Sequence, residues 1–231
     1  MSSIALNSGL NRTVTFYQSV IGKKVVMAVT GFVLSGFVLG HMIGNLQVFQ
    51  GPEKLNHYAE VLRNLGTGLW IVRGVLLASV ILHITAAVQL WSLKNSARPE
   101  AYVKKVAIAT SYAARTMIWS GPIIFFFLIY HLLHLTTGQA HPSFKPGDVY
   151  SNVIIGFRSP AVSIFYMIAN ILLAIHLYHG VWSMFQSLGV SHPKYTPKLK
   201  ALAKLYGWVI GLGNVAMPLA VLTGVIGGSV R

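Results

Sequence analysis

Cysteine is absent from the chain, which excludes disulfides, thiolate metal sites and cysteine-ligated iron–sulfur clusters within it. Any redox centre held here needs other ligands. Acidic residues are nearly absent too, with 4 Asp and Glu against 18 Lys and Arg in 231 residues. Those acids, Glu53, Glu60, Glu100 and Asp148, all lie between the apolar runs, so no carboxylate relay crosses a membrane through this chain. Charge of either sign is scarce, at 10% of residues against 54% apolar, and a soluble globular surface cannot be made from that balance. Internal repeats, low-complexity tracts and a second domain are missing as well, and residues 1–231 read as one domain.

What the chain does have is long uncharged stretches, at 25–52, 74–93, 116–144, 159–193 and 205–230. Crossing roughly 30 Å of hydrocarbon takes about 20 helical residues. The stretches therefore predict five transmembrane helices, over 25–49, 69–93, 116–138, 161–186 and 205–228. In hydrocarbon only helices and closed barrels satisfy every backbone N–H and C=O, and these runs lack the alternation of barrel strands. The expected fold class is all-α, an integral membrane bundle of five helices. The polar segment before Lys23 has no small-residue cleavage site after its first apolar stretch, so the first helix is expected to be its own insertion signal.

The basic residues divide unevenly. Arg12, Lys23, Lys24, Lys94, Arg98, Lys104, Lys105, Arg115, Lys194, Lys198, Lys200 and Lys204 fall on one side of the expected bundle. On the other side fall Lys54, Arg63, Arg73, Lys145, Arg158 and Arg231, together with Glu53, Glu60 and Asp148. The positive-inside rule then puts the N-terminus in the cytoplasm and the C-terminus outside. Lysine-rich loops hold topology and touch anionic membrane lipid, and the same face would suit a docked soluble partner. A nucleic-acid-binding protein would gather the net charge of +14 into one patch on a soluble fold, so nucleic acid is not an expected partner.

Nine histidines are present, and His41, His83, His131, His134, His176 and His179 lie inside the apolar runs. One such histidine is ordinarily a neutral hydrogen-bond partner between helices, but an ionisable side chain in a bilayer is costly, and here four helices each carry one or two. Counting 1.5 Å per residue from mid-helix, His41 and His131 lie about 7 and 6 Å outward of centre, and His83 and His176 about 3 and 4 Å inward. Two pairs result, one in each leaflet, each joining helices distant in sequence. Two imidazoles facing across a gap suit a planar macrocycle whose iron takes one axial nitrogen from each side, which predicts two bis-histidine haems b. Zinc, the competing metal for imidazole, takes about four ligands at one point.

A haem also needs room along the helix. Residues at i+3 and i+4 share a face, and small ones stand there: Gly44 after His41, Ala86 and Ala87 after His83, Gly180 after His176. Gly36, Gly40 and Gly44 equally form small-xxx-small steps that predict close helix packing. In "AIHLYHGVW" Gly180 favours His176 over His179 as ligand. In "IYHLLHLTTG" the same criterion sets Gly138 four residues after His134 and favours His134 over His131, so the third helix stays ambiguous on local grounds. The histidine left over in each case is expected to support the ligand from behind, to meet a haem propionate or to serve as an alternate ligand.

The stretches "GHMIGN" around His41, "ILHITAAVQLW" around His83, "SGPIIFFFLIYHLLHLTTG" around His131 and "IHLYHGVWSM" around His176 resemble the cytochrome b membrane anchor of succinate dehydrogenases and fumarate reductases, in its five-helix, two-haem branch. The similarity spans all five helices, including a last one without histidine. It implies axial ligands at His41, His83, His131 and His176, with His131 matched by its ten-residue interval from Gly121. The resemblance further implies a bacterial cytoplasmic membrane, a quinone (usually menaquinone) and two soluble partners on the cytoplasmic side. These partners are a flavoprotein interconverting succinate and fumarate and an iron–sulfur protein. Electrons would pass between the iron–sulfur protein and quinone by way of the two haems.

Quinone reduction consumes protons, so a titratable group is needed near the carbonyls. The outer segment "GPEKLNHYAEVLRN" offers His57 and Glu60, three apart on an expected amphipathic helix, which otherwise reads as a solvated interfacial segment. Two other functions fit parts of the pattern. Another two-haem quinone cytochrome would commonly place two ligands on one helix a haem spacing apart, and no helix here does so. A transporter or proton channel using intramembrane histidines would be colourless.

Overall fold

The computed structural model describes residues 14–97 and 112–228. Expectations for Arg12, Arg98, Lys104, Lys105 and Arg231 lie outside those residues. The described chain is all-α, with no strand among its residues. Its helices in chain order are α1 (Val20–Asn45), α2 (Pro52–Asn64), α3 (Thr67–Ser96), α4 (Tyr112–His131), α5 (Val149–Phe157), α6 (Pro160–Ser187) and α7 (Thr196–Leu222). Five of them, α1, α3, α4, α6 and α7, are long and apolar enough to cross a membrane. The protein is a multi-pass membrane protein, and Trp70, Phe126 and Trp208 stand on its outer apolar surface.

Helix ends follow local chemistry. Ser19 caps α1 by accepting the Gly22 N–H at 2.9 Å, which satisfies one of the donors a helix start leaves open. Lys23, buried at 8% exposure, turns its ammonium back to donate to the Tyr17 and Gln18 carbonyls at 3.0 and 2.7 Å. The last helix starts at Thr196, earlier than the expected residue 205. Pro197 occupies its first turn, where a missing N–H is no loss, and Lys198, Lys200 and Lys204 ride the turns ahead of the apolar stretch. Charge there marks the membrane edge, not the helix end. The same helix stops at Leu222 instead of 228, because Gly224 and Gly227 take positive φ of 76° and 92° and turn the chain.

At the centre of the bundle is α6, which packs against α7, α4 and α1, while α3 lies along α1. Small residues permit the closest approach, as in other membrane helix pairs. A Cβ on Gly207 would stand 2.8 Å from the Ala174 carbonyl oxygen, and one on Gly211 would stand 3.0 Å from the Ala174 Cβ. The main apolar core lies toward the end that holds α2 and α5, where Val48, Leu55, Tyr150, Ile154 and Met217 pack together.

That end is closed by a polar network. Asn56 of α2 donates to Asp148 at 3.1 Å and accepts the Tyr150 N–H at 2.9 Å, and Asp148 caps α5 through the Ser151 N–H at 3.1 Å. Burial works against the Asp148 charge, but the hydrogen bonds from Ser151 and Asn56 and the Lys145 ammonium outweigh it and hold the carboxyl below its ordinary range. A depressed folded value contributes stability that is complete above the unfolded value of about 4 and is lost as pH falls through the folded one. The thermal midpoint in detergent should therefore fall with acidification below about pH 4, and Asp148→Asn should flatten that limb. An unchanged acid limb would show that the network is not coupled to folding.

Candidate functional site

Four of the membrane helices bring imidazoles toward one another. His41 of α1 and His131 of α4 approach with ring centroids 5.8 Å apart and planes at 90°. His83 of α3 and His176 of α6 lie within electrostatic range of each other, and His179 lies within range of His176. The ring contact joins α1 with α4, and the electrostatic neighbours lie on α3 and α6. Among the described residues no group of three or more His, Asp or Glu converges to hold a metal ion, whereas zinc takes about four ligands at one point.

Each of the four rings is oriented by a neighbour. The Thr30 hydroxyl of α1 lies 3.1 Å from His83 Nδ1. Ser120 Oγ of α4 lies 3.4 Å from His176 Nδ1. The Tyr166 hydroxyl of α6 lies 3.4 Å from His131 Nδ1. In these three cases the contact crosses between packed helices and uses Nδ1, so Nε2 is not engaged by that hydroxyl. His41 differs, because its Nε2 meets Asn45 Nδ2 on the same helix at 3.0 Å, while its ring stacks on Phe37 at 5.3 Å.

His134 takes a different place from His131. It is 1% exposed, stacked between Tyr130 at 5.4 Å and His141 at 5.1 Å, with Nδ1 3.0 Å from the Tyr166 hydroxyl. Its buried Nε2 has no hydrogen-bond partner among the described residues. The local rule that favours His134 fails for a geometric reason: after His131 the helix widens into a π turn, Leu132–Thr136, so i+4 no longer marks one face. Gly138 has a positive φ of 78° and packs on Phe144, not beside a ring site. Gly44 likewise makes no room beside His41, since Tyr58 fills the place that its Cβ would take.

The room that does exist lies elsewhere. A Cβ added at Gly36, Gly40, Gly121 or Gly180 would meet no described atom within 4 Å, so the small-residue steps on α1 at Gly36 and Gly40 are not helix contacts. Gly40 adjoins His41, Gly121 adjoins Ser120, and Gly180 lies one turn beyond His176. Two imidazoles sharing one metal at about 2 Å per bond keep their ring centres roughly 6 Å apart, close to the 5.8 Å between His41 and His131. Pairing and open flanks suit a bis-histidine iron macrocycle, for which His41 would have to exchange its Nε2 contact with Asn45 for the metal.

His57 and Glu60 sit on α2 as an exposed pair, 74% and 61% accessible, with Nδ1 3.9 Å from Oε2. A pair this exposed contributes little to stability. Between them in sequence, Tyr58 turns inward to pack on Gly44. Sequence reading also missed Thr30, Ser120 and Tyr166, whose partners lie on other helices, and the α5 helix, which only the Asp148 cap ahead of an apolar run could have signalled. The sequence matches no protein-family model, and neither a curated protein nor a solved structure matches it.

Proposed function

We propose that this chain is a dihaem cytochrome b membrane-anchor subunit of a succinate:quinone oxidoreductase, respiratory complex II. It would carry electrons between an iron–sulfur subunit and membrane quinone, menaquinone in this branch, and anchor the flavoprotein and iron–sulfur subunits to a bacterial cytoplasmic membrane. The observation that carries the reading is the pair of facing imidazoles His41 and His131, with His83 and His176 as a second pair on the remaining two helices. Respiratory succinate oxidation would tie it to the tricarboxylic acid cycle, and fumarate reduction is the same chemistry reversed.

When bound, haem supplies one-electron chemistry, which belongs to the cofactor. The chain's own part is ligation and orientation. His83, His131 and His176 would present one nitrogen each, and His41 would do so by giving up its Nε2 contact with Asn45. Thr30, Ser120 and Tyr166 fix ring angles, and Gly36, Gly40, Gly121 and Gly180 leave the flanks clear. His134 packs the wall behind Tyr166. On the expected cytoplasmic face, Lys24, Lys94, Arg115, Lys194, Lys198, Lys200 and Lys204 form the basic end on which the soluble partners would dock, while the buried Lys23 is taken up by nearby backbone carbonyls. For quinone, α2 is the candidate surface, because Tyr58 touches α1 at Gly44, one turn past His41, and His57 and Glu60 lie beside it as titratable side chains.

The test is purification from membranes in mild detergent followed by a reduced-minus-oxidised spectrum. Low-spin haem b at two per chain, with a flavoprotein and an iron–sulfur protein copurifying, is the expected result. A colourless protein overturns the reading and favours a histidine transporter or channel. Two haems without those partners point to another quinone cytochrome.

A further inference from the structure

Resting on the dihaem reading, the geometry points to Thr30 of α1 as a positioning residue that fixes the proton of His83 on Nδ1, so that Nε2 presents its lone pair to the metal. The argument turns on one hydrogen. A threonine hydroxyl has a single proton to donate and two lone pairs with which to accept. The Thr30 oxygen lies 2.7 Å from the Val26 carbonyl and 3.2 Å from the Met27 carbonyl, and carbonyls only accept. Its proton is therefore committed to the backbone of its own helix, a usual resting place for threonine in a helix. The remaining contact, 3.1 Å to His83 Nδ1, has one direction left: the imidazole N–H donates and the hydroxyl accepts.

A neutral imidazole carries one proton, and a charged one is costly inside a bilayer. With that proton on Nδ1, Nε2 is bare, which is the form a metal takes. The pin is built into the α1–α3 packing, since Thr30 is buried at 6% exposure and a Cβ on the adjacent Gly31 would stand 3.4 Å from the His83 ring. The other hydroxyls do not decide direction in this way. Tyr166 has one proton between His131 and His134, and Ser120 has no second acceptor among the described residues to claim its proton. Of the three hydroxyls, Thr30 alone leaves its imidazole only the donor role before any ligand arrives, and the Met27 carbonyl, which also bonds the His83 ring, calls for a ring proton too.

An acceptor on the far nitrogen also raises the basicity of the ligating one. A stronger donor favours the oxidised metal, so Thr30 should hold the potential of the His83-side haem down. The experiment is a redox titration of the purified holoprotein, with low-spin electron paramagnetic resonance of both haems, on Thr30→Val, Thr30→Ser and wild type. Thr30→Val should raise the midpoint potential of one haem only and shift its resonance, with Thr30→Ser close to wild type. His83→Ala identifies that haem as the one lost. Thr30→Ala repeats the test with a side chain that cannot overfill the site. Two haems with unchanged potentials in Thr30→Val and Thr30→Ala would overturn the inference, as would equal shifts in Thr30→Ser. A wild type without haem would instead defeat the dihaem reading itself.

Discussion

Alanine at His41 or at His131 is expected to take the purified protein from two haems b per chain to one, and alanine at His83 or His176 to remove the other. The two rings of the first pair stand 5.8 Å apart, so deleting either leaves a site with one axial nitrogen. Groups that act as a unit give non-additive losses. The double variant His41→Ala/His131→Ala should therefore match either single one, whereas His41→Ala/His83→Ala should lose both haems. Pyridine haemochrome assay against protein concentration reads the stoichiometry, and the spectrum tells which centre remains. Loss of one and the same haem from His41→Ala and His83→Ala would break the pairing.

That pairing is legible in the sequence because depth along a helix is a local quantity. Charge-free runs bounded by Lys24, Arg73, Lys94, Arg115, Arg158 and Lys204 locate the spans, and the alternation of helix direction ranks the histidines by level. In the structure the His41 and His131 rings stand 5.8 Å apart, and His83 is an electrostatic neighbour of His176. Helix limits are less legible where charge and helix part company, as at Thr196, where the basic turns are helical although they lie outside the apolar run.

The choice between His131 and His134 is not legible, because it depends on where the α geometry stops. A rule based on i+4 assumes an uninterrupted helix, and the π turn at Leu132–Thr136 breaks that assumption one residue after His131. Tertiary partners are equally hidden. Nothing near Gly44 in sequence says that Tyr58 will occupy its open side, and Thr30 and His83 are 53 residues apart. Such contacts are set by which helix packs on which, and that is decided by shape over the whole interface.

Gly156 of α5 gives the second large effect, and it works at a distance from any proposed ligand. A Cβ there would stand 2.6 Å from His134 Cε1, 2.8 Å from its Nε2 and 3.3 Å from His141 Nε2. His134 has nowhere to go. It is held by stacking on Tyr130 and His141 and by its 3.0 Å contact to the Tyr166 hydroxyl, while His141 is anchored to the Asn152 carbonyl at 2.9 Å. Overpacking a site of this kind costs about 1–3 kcal/mol, and valine extends further into it than alanine. Displacing His134 drags on Tyr166, which lies 3.4 Å from His131 Nδ1, so Gly156→Val should loosen the His41–His131 level and spare the His83–His176 level. Purified Gly156→Val is expected to release the first haem at a lower temperature while keeping the second. His134→Ala should then relieve much of the penalty, because the double variant has room for the valine and contacting residues couple in such a cycle. Equal loss from both levels, or a penalty that simply adds to that of His134→Ala, would show that Gly156 acts on the bundle as a whole and not through His134.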